Sequence, residues 1–354
     1  MSIKTKDFKS FAYTIPPPGQ IYLARLRQGY GEASILKPLA QLADKIDEAW
    51  GGIEPPYKGF AVPCLTTWLP GHNTKIVTFC LRFIKLLYNE PMKVGIFDSG
   101  LGGLFLTKAI TETLPEYDYI YLGDTKNLPY GNRSREAVYE LTEAAVDYLF
   151  RNDCELVILA CNTASALALR KLQREYLPKH FPDRKILGVL IPMAEAAAEK
   201  RSRSIGVLGT IGTIESGAFI EEIRKIDPDV EIVQSAAPLL VPLIENNGME
   251  WSNPILKEYL DPLRNADSII LGCTHYSIIR GEIERFLDEE VQIICQTDVV
   301  PEKLRQYLNN HPEIDVKLSK NGNRNFFVTD ITTQFLELAP LWFGDDVELE
   351  LVEY

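Results

Sequence analysis

Eight short apolar runs punctuate the chain from residue 93 onward: KVGIF, YIYLGD, LVILAC, KILGVLI, SIGVLGT, VEIVQS, SIILGC and VQIIC. Each is rich in Val, Ile or Leu. The segments between them carry apolar residues at helical spacing, as in REAVYELTEAAVDYLFRN (135–152). A strand with no polar face needs cover on both sides, and a parallel neighbour needs a crossover long enough to hold a helix. The alternation therefore restricts this part of the chain to an α/β fold built on parallel sheet.

The runs also repeat. VGIFDSG (94–100) resembles IGVLGTI (205–211), and VILACNTASA (157–166) resembles IILGCTHYSI (269–278). Residues 94 and 205 are 111 apart, and the two cysteines, Cys161 and Cys273, are 112 apart. Two pairs in one order at nearly one spacing predict two similar parallel-sheet half-domains related by pseudo-two-fold symmetry. We place them at 92–190 and 191–320. The last stretch, 321–354 with TTQFLELAPLWFG, is expected to return to the first half as a C-terminal helix and tail.

Residues 1–91 have a different character. They hold eleven Lys/Arg and seven Asp/Glu, a surplus of +4, which leaves −16 on the remainder of a chain whose net charge is −12. IPPPG (15–19) and EPPYKG (54–59) are turn or polyproline signals, and apolar spacing is helical only in patches. We read 1–91 as an N-terminal extension, weakly structured or helical. The seam at Met92 is either a domain junction or an upstream extension of the reading frame.

Length and composition exclude several classes. The 354 residues are 46% hydrophobic and 24% charged, enough for two cores. A net charge of −12 disfavours a general nucleic-acid binder but permits a small anionic substrate, since local fields differ from the total. The six cysteines include no CxxC and no zinc-like Cys/His spacing, so reduced thiols in a cytoplasmic protein are expected. The longest apolar stretch, IVTFCLRFIKLLY (76–88), is interrupted by Arg82 and Lys85, and MSIKTKDFKS lacks the apolar centre of a signal peptide. We expect a soluble protein with no membrane partner.

Cys161 and Cys273 each fall just past a strand end, where open α/β sheets bind ligands. If the halves face each other, the thiols look into one cleft from opposite sides. A thiolate serves as nucleophile, metal ligand, redox partner or base. A hydrolase leaves a second matched cysteine without a role. Zinc asks for more ligands than CNT and CTH supply, and a disulfide needs Cα atoms within about 7 Å. Metal and redox roles remain alternatives. Proton transfer on both faces of one carbon suits two like groups from two like halves directly. Asn162, Thr163 and Thr274 place short polar groups beside the thiols. Asp98 in the Gly-rich turn DSGLGG (98–103) is a candidate to hold an ammonium or to assist one thiol, and His275 to assist the other. That turn is not GxGxxG, so a dinucleotide site is weakly supported.

Residues 92–354, nearly three quarters of the chain, resemble the glutamate racemases of the aspartate/glutamate racemase superfamily. The matching motifs are FDSGLGG (97–103), YLGDTKNLPYG (121–131), ACNTASA (160–166), IGVLGTIGTIES (205–216) and GCTHYS (272–277), all in order. The resemblance implies interconversion of L- and D-glutamate without a cofactor or metal, to supply D-glutamate for cell-wall peptidoglycan, by a protein that is commonly a homodimer. It implies Cys161 as the base toward D-glutamate and Cys273 toward L-glutamate. It further implies substrate contacts from Asp98 and Ser99, Tyr130 and Gly131, Asn162 and Thr163, and Thr274 and His275. Aspartate, or another small acid, is the alternative substrate, and a regulatory protein on the same scaffold the alternative class. Two positions depart from the pattern. Ser277 stands where the family usually has Pro, which threatens to loosen the turn behind Cys273. Ile191 stands where many members carry an acidic or imidazole group, which puts an auxiliary proton role there in doubt.

Overall fold

The computed structural model describes residues 92–345 and 347–354. The reading of 1–91 as an extension lies outside them. All eight apolar runs form strands: β1 (Lys93–Asp98), β2 (Tyr119–Gly123), β3 (Cys154–Leu159), β4 (Lys185–Gly188), β5 (Ser204–Gly209), β6 (Glu231–Ala236), β7 (Ser268–Gly272) and β8 (Gln292–Ile294). Two more, β9 (Arg324–Val328) and β10 (Leu349–Leu351), follow in the C-terminal stretch. Ten helices matter below: α1 (Gly103–Thr113), α2 (Arg135–Arg151), α3 (Asn162–Leu167), α4 (Leu190–Glu199), α5 (Ile211–Glu215), α6 (Ala218–Ile226), α7 (Leu240–Glu245), α8 (Ser252–Leu260), α9 (Gln296–Asn310) and α10 (Thr333–Trp342).

The strands form two sheets, ordered β10-β9-β2-β1-β3-β4 and β6-β5-β7-β8, with every pairing parallel. Without β9 and β10, the first sheet reads β2-β1-β3-β4. The second has the same order four strands later. The registers match too. Val94 opposes Leu156 and Phe97 opposes Leu159. In the second sheet Ile205 opposes Ser268 and Leu208 opposes Leu271, each pair displaced by 111 and 112 residues. The expected repeat is thus present in topology and in residue-level pairing.

Burial explains which strands were legible. Every residue of β2, β3 and β7 is buried, as is β1 after Lys93. Fully burying each Val, Leu or Ile contributes roughly 1.5–3 kcal/mol, and only a strand with both faces covered collects it at every position. The strand β10 is the sheet edge and β9 lies between it and β2; both are only partly buried, and RNFFV and LEL are broken by Arg324, Asn325 and Glu350. The expected C-terminal helix is α10, N-capped by Thr332, whose hydroxyl accepts the Phe335 N–H.

The helices cover the sheets as the spacing predicts. The amphipathic α2 starts at Ser134, whose Oγ accepts the Ala137 N–H, and buries Val138, Ala145, Val146 and Leu149 against Ile120, Leu122, Val157 and Leu159. On the second sheet, α4 and α6 bury Met193, Ala197, Phe219 and Ile223 against Ile205, Val207 and Ile270. The largest core joins the halves: Val94, Ile96 and Ile158 belong with Leu208, Ile269 and Leu271, and α1 and α9 pack against each other within it. Strand ends from both sheets consequently meet over a common cleft. No helix among the described residues is long and apolar enough to cross a membrane.

Candidate active site

The cleft is walled by the segments that follow β1, β2, β3, β5, β6 and β7. Cys161 and Cys273 both line it, with Ser99, Tyr130, Gly131, Asn162, Thr163, Thr274 and His275. Each thiol residue is 6% exposed, so neither sulfur is sealed in a core.

Cys161 lies two residues past β3 and caps α3. Its thiol donates to Ser99 Oγ at 3.3 Å, and its sulfur accepts the Ala164 N–H at 3.5 Å. Burial pushes this thiol up to about 12, with the nearby Asp98 carboxyl adding to the rise and the Ser99 and Ala164 hydrogen bonds opposing it. The N–H groups of Asn162 and Thr163 start the helix and have no intrahelical acceptor, which leaves them available to an anion beside the sulfur.

Cys273 ends β7 in extended conformation, and the single turn Thr274–Ser277 follows. His275 Nδ1 lies 3.9 Å from the Cys273 sulfur and 3.3 Å from Thr274 Oγ1, while its Nε2 lies 2.9 Å from Glu245 Oε1 at the end of α7. The Trp342 ring meets the imidazole edge-on at 5.6 Å. Burial alone pushes the imidazole toward neutrality. The Cys273 and Glu245 interactions outweigh it and hold His275 up at about 10. The turn is tight despite Ser277: the Tyr276 hydroxyl donates to Ala237 O at 2.9 Å, and the Ile278 N–H to His275 O at 3.0 Å.

Asp98 differs from its expected place. It is fully buried beneath the Gly-rich turn and is not part of the cleft wall. Its Oδ2 accepts the Gly100 and Gly103 N–H groups, both at 3.1 Å, and its Oδ1 has no partner. Burial raises this carboxyl, partly countered by His275. The turn passes so close to the second half that a Cβ on Gly102 would sit 2.5 Å from the His275 ring. Ile191 lies in the first turn of α4, half-buried and outside the cleft wall, so it brings no titratable group to the thiols.

Of the remaining expected residues, Gly131, Asn162 and Thr163 reach the second half, while Tyr130 is held within the first. Tyr130 donates to Asp124 Oδ2 at 2.6 Å, and Asp124 Oδ1 also accepts from Asn127 and Thr329. Gly131 abuts Thr210, where a Cβ would come within 2.8 Å of the threonine Cβ. Thr163 Oγ1 lies 2.9 Å from Thr210 Oγ1 and 3.2 Å from Thr213 Oγ1. Asn162 Nδ2 donates to Gln296 Oε1 at 3.0 Å. Glu245, Gln296 and Asp124 escaped the sequence reading. Asp124, Thr210 and Thr213 at least lay within recognised motifs; Glu245 and Gln296 lay in none. Among the described residues, no cluster of three His, Cys, Asp or Glu groups is arranged to hold a metal.

Matched parallel-sheet halves that bring two thiols, an imidazole–carboxylate pair and short hydroxyls to one cleft define an acid–base enzyme for a small polar substrate. The chain belongs to the Asp/Glu/Hydantoin racemase family, whose model matches residues 101–303. It is 38% identical over 256 residues to a glutamate racemase of Geobacter metallireducens, covering 71% of this chain and 92% of that one. With a glutamate racemase of Aquifex aeolicus it shares 37% over 261 residues, covering 73% and 96%. Among solved structures, a glutamate racemase of Francisella tularensis in complex with D-glutamate superposes with a TM-score of 0.67 at 30% identity, covering 75% of this chain and 98% of that one. A glutamate racemase isoform of Bacillus anthracis gives 0.68 at 31%, covering 74% and 97%.

Proposed function

We propose that this chain is a glutamate racemase that needs no cofactor and moves the Cα proton of glutamate between two cysteines. The observation that carries the reading is the appearance of Cys161 and Cys273 on the walls of one cleft, from strand ends that correspond in the repeat. One sulfur takes the proton from one face of Cα as a thiolate. The other, as a thiol, gives a proton to the opposite face, and the roles are then exchanged for the reverse reaction. By family resemblance Cys273 faces the L-isomer and Cys161 the D-isomer.

The surroundings support different parts of this chemistry. The imidazolium held by Glu245 is a counter-charge for a Cys273 thiolate. Cys161, pushed upward by burial and Asp98, starts as the proton donor. Charge that develops on the substrate carboxylate as the proton leaves is met by the N–H groups that open α3 and by the hydroxyls of Ser99, Thr163 and Thr274. Such preorganised donors act strongly where they are shielded from solvent, as the buried Asn162, Thr163 and Thr274 are. A role in supplying D-glutamate for peptidoglycan, and assembly as a homodimer, are part of the same proposal and rest on the resemblance.

The test follows L-glutamate in heavy water by NMR and polarimetry. Racemisation with deuterium entering Cα is expected, and Cys161→Ser and Cys273→Ser each reduce it by roughly 10²–10⁴, the usual contribution of a positioned acid or base. Undiminished turnover in the double variant defeats the two-thiol mechanism. A higher kcat/KM for aspartate than for glutamate defeats the substrate assignment.

A further inference from the structure

We propose that Gln296 is a positioning residue that orients Asn162 toward the substrate. The inference rests on the racemase reading and deepens it. Asn162 directly follows Cys161 and lines the cleft. Its own half of the molecule gives its carboxamide no hydrogen-bond partner among the described residues. The hydrogen bond that fixes it comes from the other half: Gln296, the first residue of α9 after β8, accepts from Asn162 Nδ2 at 3.0 Å. Gln296 is 0% exposed and Asn162 2%. A buried amide pair of this kind is costly to leave unmade, so its presence constrains both side chains.

The pair is also incomplete. Asn162 Oδ1 and Gln296 Nε2 are both buried without a protein partner. Two carboxamides can exchange two hydrogen bonds, yet here they make one. With Nδ2 committed to Gln296, Asn162 keeps a free acceptor on a residue of the cleft wall. An unpaired buried acceptor calls for a donor, and the ammonium of an α-amino acid is one. The unpaired Nε2 of Gln296 remains a donor behind the pair. Because Asn162 follows β3 and Gln296 follows β8, the bond forms only when the halves sit as they do here. Gln296 thereby ties the relative placement of the halves to the aim of a substrate-facing group.

The contact concerns a part of the substrate that does not react. Its loss should weaken binding of both isomers more than it slows chemistry. In the full-length chain, Gln296→Met and Gln296→Asn both withdraw the acceptor, the first keeping side-chain length and the second keeping an amide. We expect KM for L- and for D-glutamate to rise about tenfold, the scale of one lost buried hydrogen bond, with kcat reduced less than about threefold. Asn162→Ala raises KM similarly, and adding Gln296→Met to it changes KM by less than about twofold, because the second residue acts only through the first. The proposal is overturned if either folded Gln296 variant keeps the parent KM, or if Gln296→Met raises KM by the same factor with and without Asn162. Should the parent chain itself neither racemise nor bind glutamate by calorimetry, the racemase reading fails instead.

Discussion

Replacing Glu245 by Gln keeps the shape of the side chain and an acceptor oxygen but deletes the charge opposite His275. The two side chains are 12% and 6% exposed, with Oε1 and Nε2 2.9 Å apart. A hydrogen bond to a charged partner contributes about 1.5–3 kcal/mol, and one pKa unit corresponds to about 1.36 kcal/mol. The substitution therefore brings the imidazole down from its value of about 10 by roughly one to two units. The folded value lies above the ordinary one of about 6.5, so the stabilisation is fully present below that pH and is lost as pH rises through about 10. The Gln variant should be less stable by roughly 1.5–3 kcal/mol near neutral pH. That gap should close at alkaline pH, where the imidazole is neutral in both proteins. Ring titration by NMR, paired with denaturant unfolding at neutral and strongly alkaline pH, reads both quantities. An unmoved His275 titration, or a stability gap equal at the two pH values, refutes the reasoning.

Three further outcomes follow, the first two from contacts between the halves. Gly102→Ala puts a Cβ 2.5 Å from the His275 ring and must displace the imidazole; kcat should fall at least about tenfold with the fold retained by circular dichroism. Gly131→Ala drives a Cβ against Thr210, and the overpacking should cost roughly 1–3 kcal/mol in denaturant unfolding. Asp98→Asn removes a carboxyl that raises the Cys161 thiol, so that thiol should titrate below its present value of about 12 when followed by thiolate ultraviolet absorbance; no downward movement speaks against the assigned cause.

Local chemistry and long-range geometry were unequally legible in the sequence. Strands buried on both faces, such as CELVIL and SIILG, announce themselves through the unbroken apolar runs LVIL and IIL. The strand β9, only partly buried and with Arg324 and Asn325 in its first half, does not. The thiols and their neighbours were found because each motif is continuous in the chain. Glu245 and Gln296 were not, because they reach His275 and Asn162 across 30 and 134 residues, and neither lies in a recognised motif. Asp98 was expected to hold an ammonium or to assist one thiol, yet its Oδ2 turns inward to accept from the Gly100 and Gly103 amides, and the residue is not part of the cleft wall. Spacing gives the position of a side chain along the backbone and says little about its rotamer.

The duplicated strand order gives the two sulfurs like backbone settings, but their companions are unlike: a buried carboxyl near Cys161, an imidazole–carboxylate pair beside Cys273. Mirror-image substrates have identical free energies in water. Under the proposed reaction, kcat/KM must therefore be the same in both directions, whatever the two sides look like. The unequal surroundings can show themselves only as a matched change in both constants, with the isomer that is held more loosely also turned over faster by the same factor.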